Sequence, residues 1–128
     1  MDSFPENVKQ FLDAYIESID QLEILRILAE VPTRVWDIGD LATQLQLTSI
    51  IAQTQVKALY SRGLLPTDAE GKGPLIRYGP QNPALELALS QVLQLYRERP
   101  VTMIRMVYAQ ANERLKAFAD AFKLRKEK

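Results

Sequence analysis

Gln53, Thr54 and Lys57 are polar side chains at positions i, i+1 and i+4, with Ser49 and Ile50 one turn before them. On a helix such positions share one edge. An amide pairs bidentately with adenine, and a threonine hydroxyl bonds to a base edge while its methyl meets thymine. An ammonium reaches guanine or phosphate. Arg62, Lys72 and Arg77 follow downstream and carry the charge that suits a phosphate or the minor groove. This is recognition chemistry. Catalytic chemistry lacks its usual parts. The chain has no His and no Cys, which removes the commonest general base, the thiolate nucleophile and the main zinc ligands. The Asp37 and Asp40 carboxylates read as helix caps. No nucleophile–base pair presents itself, so the expectation is a binding protein without catalytic residues, metal or cofactor.

The elements that position these side chains belong to a chain of 128 residues, long enough for one domain. Its 16 basic and 16 acidic residues cancel, but unevenly. Residues 1–45 hold three basic and nine acidic side chains, a net −6; residues 46–80 carry +2 and residues 81–128 carry +4. Phosphate affinity follows local charge, so a neutral total leaves a basic surface open. No apolar run has the length of a membrane span. The start, Met1-Asp2-Ser3-Phe4-Pro5-Glu6, lacks the basic and apolar regions of a secretory signal. A cytoplasmic location is expected.

Helical periodicity dominates. Ser3 with Glu6 reads as a capping box, opening a helix whose stripe runs from Phe4 to Ile19. Asp20 with Glu23 caps a second, buried helix that ends at Pro32. Thr33-Arg34-Val35-Trp36 is a short strand by composition. Asp37 caps a short helix bearing Leu41, Ala42 and Leu45, and Gln46-Leu47 makes a turn. Thr48 or Ser49 then caps a helix that Gly63 stops. Residues 64–67 and 75–78 flank a Gly-rich turn and predict a β-hairpin. Asn82-Pro83 opens a further helix, broken at Arg99-Pro100. The last segment places Ile104, Tyr108, Ala111, Leu115, Phe118 and Phe122 at alternating spacings of four and three, an a/d-type seam. The tail from Lys123 is basic. Trp36, Tyr60 and Tyr78 read as packing residues.

The order helix, strand, helix, turn, helix, hairpin carries a resemblance. Leu41-Ala42 with Leu45, Leu47-Thr48, Val56, Leu59 and the exit Arg62-Gly63-Leu64-Leu65 resemble the core of MarR-type and related winged-helix transcriptional regulators. The likeness covers residues 37–80. It implies a mainly α fold with a small β-hairpin: a winged helix-turn-helix core over 20–80, with residues 1–19 and 81–128 as flanking dimerisation helices. Ala52, Val56 and Leu59 lie within about 60° of arc and would face inward, leaving the Gln53 edge outward with a recognition helix over about 49–62 and a wing over about 64–79. The resemblance implies a homodimer on double-stranded DNA, its two recognition helices about 34 Å apart. Such proteins often bind small organic effectors between dimer helices and DNA-binding lobes; no residue here identifies one. The chain departs from the family pattern at Gln55, where an apolar residue is usual. Its wing carries Asp68 and Glu70 and no Asp-x-Arg, and Lys57 is the lone cation on the recognition edge. Two alternatives stay open: an adaptor that binds protein through the outward Ile50, and flanking helices that fold back on their own domain.

Overall fold

Six helices form in the computed structural model, which describes the backbone of residues 4–126 and side chains through 123. They are α1 (Glu6–Tyr15), α2 (Ile19–Glu30), α3 (Ile38–Leu45), α4 (Ser49–Ser61), α5 (Pro83–Glu98) and α6 (Pro100–Lys126). The caps explain most boundaries. Ser18 Oγ accepts from Gln21 N at 3.3 Å, Asp37 from Gly39 N at 2.7 Å, Thr48 from Ile51 N at 3.1 Å and Asn82 from Leu85 N at 2.9 Å. Each satisfies an amide that the first helical turn leaves unpaired. Pro83 sits at the first helical position of α5, and Pro100 separates α5 from α6.

The first helix is shorter than its periodicity suggests. It ends at Tyr15, with Ile16 extended at φ −120°, although Ile16 is buried. Ser18 restarts the chain as α2, so the cap expected at Asp20 lies two residues earlier. Pro5 precedes α1 without a side-chain cap, and Ser3 lies outside the described residues.

The expected winged fold is corrected. Among the described residues there is no strand and no sheet. The hairpin segment makes one isolated antiparallel bridge, Thr67 to Pro74, flanked by Asp68 N to Gly73 O and Leu75 N to Pro66 O, each 2.8 Å. Thr67 and Pro74 are a non-hydrogen-bonded pair, and Pro66, which has no N–H, cannot return a bond to Leu75 O, so the ladder stops there. The stretch 33–36 contributes one bond, Trp36 N to Ile76 O at 2.8 Å. β-prone side chains are present, but the donor at 66 is not. The segment 64–79 is a turn-rich loop anchored by buried Leu64 and Leu65.

One apolar core joins the helices. Leu22, Ile24, Leu25 and Leu28 put α2 at its centre, packed against α3, α4 and α5. Phe4, Val8, Phe11, Leu12 and Ile16 close it from the N-terminal side, so the first flanking segment folds back on its own chain. Leu89, Val92, Leu93 and Tyr96 of α5 do the same, joined by Met103 and Val107 of α6.

Candidate nucleic-acid interface

The α3–turn–α4 unit holds one helix edge away from the body. Leu41 and Ala42 of α3 are buried against Ala52, Val56 and Leu59 of α4. Gln46 takes a left-handed conformation at φ 57°. Its N–H bonds Thr43 O at 3.2 Å and Leu47 N bonds Ala42 O at 2.9 Å, the paired bonds of a Schellman turn. The same motif ends α4, with Gly63 at φ +81°, Gly63 N on Tyr60 O and Leu64 N on Leu59 O.

Ser49, Ile50, Gln53, Thr54 and Lys57 are all exposed along α4. Ile50, Thr54 and Lys57 lie opposite the buried trio, Gln53 lies to one side of it, and Ser49 is exposed at the helix start. Ile50 is 77% exposed. Thr54 Oγ1 donates to Ile50 O at 2.9 Å. Its hydroxyl proton is thereby engaged, and the side chain offers a methyl and an acceptor lone pair outward. Gln53 and Lys57 supply the donors on this edge. No acidic residue lies in the first turn of α4, so the positive end of the helix dipole faces out with Ser49 and Ile50.

The other three candidate residues stand apart from that edge. Arg62 is tied back to the body: Nη2 lies 2.5 Å from Glu17 Oε1 and Nη1 3.4 Å from Tyr15 O. This contact joins the end of α4 to the α1–α2 junction. Hydrogen bonding from Arg62 holds the Glu17 carboxyl below its ordinary 4.5. Lys72 sits at the loop tip, its ammonium 3.8 Å from Glu70 and its amide bonded to Asp68 Oδ1 at 2.9 Å. Arg77 is half-buried on the return of the same loop.

Gln55 has a structural explanation. Gln21 is buried, and its Nε2 donates to Gln55 Oε1 at 2.9 Å while its Oε1 accepts from Glu17 N at 2.8 Å. The polar residue at an inward α4 position is the partner of a buried amide on α2. Sequence reasoning missed this link, although Ser18-x-x-Gln21 is a capping-box spacing. It also missed Arg34, whose guanidinium lies 3.5 Å from the Trp36 ring centroid and 3.8 Å from Asp40.

Among the described residues no cluster of acidic side chains has the arrangement to hold a metal ion. A groove of about 450 Å3 between α1 and α6 is bordered by Lys9, Asp13, Glu113 and Arg114. No helix among them is long and apolar enough to cross a membrane. Compared with known proteins, the chain matches no family model, no curated sequence and no solved structure.

Proposed function

We propose that the chain is a sequence-specific transcriptional regulator that binds double-stranded DNA as a cytoplasmic homodimer, without catalysis or cofactor. The observation that carries this reading is the α4 edge: Ile50, Gln53, Thr54 and Lys57 are exposed on a helix whose opposite side is locked to α3. A helix of 13 residues held in this way fits the major groove. The resemblance to MarR-type regulators bears on α3 and α4 alone, since residues 64–79 form a loop without strands. Gln53 and the Ile50–Thr54 methyl pair suit adenine and thymine edges, and Lys57 suits phosphate or guanine. Lys72 and Arg77 are secondary backbone contacts.

The test is a gel shift with fragments from the protein's own upstream region at ~150 mM salt. Lys57→Ala weakens binding and, where Lys57 meets a phosphate, flattens the salt slope by about one unit. Unchanged affinity in a combined Gln53→Ala, Lys57→Ala, Lys72→Ala variant overturns the assignment. A second reading, a protein-binding adaptor, is favoured by the exposure of Ile50 and by the acidic neighbours of Lys72. A flat gel shift, with a protein partner lost on Ile50→Glu, selects it.

A further inference from the structure

The seam of α6 changes its surroundings part-way along. Met103 and Val107 are buried against the body, and Ile104 is half-buried. Further on, Tyr108 is 60% exposed, Leu115 67% and Phe118 71%. Every residue from 115 to 123 is exposed. A helix end meant for water is polar all round. This one keeps the alternating four-and-three spacing of Tyr108, Ala111, Leu115, Phe118 and Phe122, which is the stripe one helix offers another. Phe118 and Phe122 stack with ring centroids 6.4 Å apart.

Two observations select the occupant. The first is charge. Residues 115–128 carry five basic and two acidic side chains, a net +3, whereas residues 1–45 carry −6. The second is a hollow of about 140 Å3 at the root of the same seam, floored by Ile19, Val107, Tyr108 and Ala111 and rimmed by Glu17 and Asp20. Among the described residues the tip carries Lys116 and Lys123 against Asp120, and the root carries Asp20 beside Glu17, which is already paired with Arg62. They suit each other, yet ten residues of continuous helix hold Tyr108 and Phe118 about 15 Å apart on one chain. A tip cannot reach its own root. It can reach that of a second copy.

We propose that the distal half of α6 is a dimerisation arm, pairing antiparallel with the α6 of a second copy along residues 104–122. With the two-fold axis near residue 113, Tyr108 faces Phe118 of the other copy, Ala111 faces Leu115 and Ile104 faces Phe122. Small meets large at the centre. The contact is isologous, so it closes at two chains. This deepens the homodimer component of the proposed function and rests on it, but DNA plays no part in it.

The mass is measured by light scattering without DNA, at about 100 µM protein. The expected result is twice the 14.6 kDa chain mass. Leu115→Glu with Phe118→Glu raises the dimer dissociation constant at least ~100-fold, because charge is forced into an apolar seam. Helical circular dichroism is retained, since both positions are exposed. The chain has no cysteine, so an introduced thiol is its only one. Asn112→Cys, beside the two-fold axis, forms a disulfide-linked dimer on oxidation, and Lys116→Cys does not. A monomeric parent, or a folded double variant that stays dimeric, overturns the arm. Crosslinking through Lys116→Cys and not Asn112→Cys overturns the antiparallel register. These readouts stand whatever the gel shift shows, so failure of the arm and failure of DNA binding are separable.

Discussion

Gln46 occupies a backbone region that costs an L-residue roughly 1–2 kcal/mol. Glycine occupies it without that strain but loses more freedom on folding, about 0.5–1 kcal/mol. Gln46→Gly is therefore expected to stabilise the fold by about 0.5–1 kcal/mol, read as a higher urea midpoint. The Gln21–Gln55 pair behaves in the opposite way. Gln55→Leu leaves the buried Gln21 amide without its acceptor, a loss of about 1–3 kcal/mol in the same assay. Tyr96 gives a spectroscopic handle. Burial, then its hydrogen bond to Glu23 at 2.7 Å, pushes the phenol up to about 12. A group whose folded pKa exceeds its unfolded value of 10.0 stabilises the fold below pH 10 and loses that contribution as pH rises towards 12. The ultraviolet titration should show one phenol ionising near pH 12, absent in Tyr96→Phe.

At the level of elements, the contact between Arg62 and Glu17 locks α4 to the α1–α2 junction. The Glu17 carboxyl lies below its ordinary 4.5, and so does that of Glu23, held down by Arg26 and then by Tyr96. Such groups stabilise the fold above pH 4.5, and the contribution disappears as pH falls below it. Glu17→Gln should flatten the acid limb of a stability–pH curve below 4.5 and leave its neutral limb parallel to the parent's. The caps at Asp37, Thr48 and Asn82 were legible in the sequence because each is a short polar side chain just before an apolar period. The outward edge of α4 was legible for the same reason: Ala52, Val56 and Leu59 fix which side turns in. The end of α1 was not, because Ile16 and Ile19 continue its spacing while belonging to the cap and to the next helix. Nor was the missing hairpin. Residues 75–78 have strand-forming side chains, but the pair 66–75 needs an amide donor at 66, where proline has none. The role of Arg62 escaped because its partner lies 45 positions away.

For the whole molecule, the flanking segments divide their work unequally. The stripe of α1 and most of α5 face their own core, and the distal part of α6 extends a run of apolar groups past it. A chain shortened after Arg114 is expected to keep the six-helix body, because no residue from 115 to 123 is buried. The parent's thermal midpoint should rise with protein concentration, as mass action requires of an assembling chain. The shortened chain's midpoint should not. Scanning calorimetry at two concentrations checks both.

That division has a practical result for following assembly in solution. Amide hydrogens of α6 from Met103 to Val107, beside the two buried side chains, open only with the body. Those beyond Leu115 have no body to protect them and exchange with deuterated solvent by local fraying of a lone chain. Slow exchange there would report a neighbouring molecule, so one isotope-labelling time course on one helix reads fold integrity at its start and self-association at its finish.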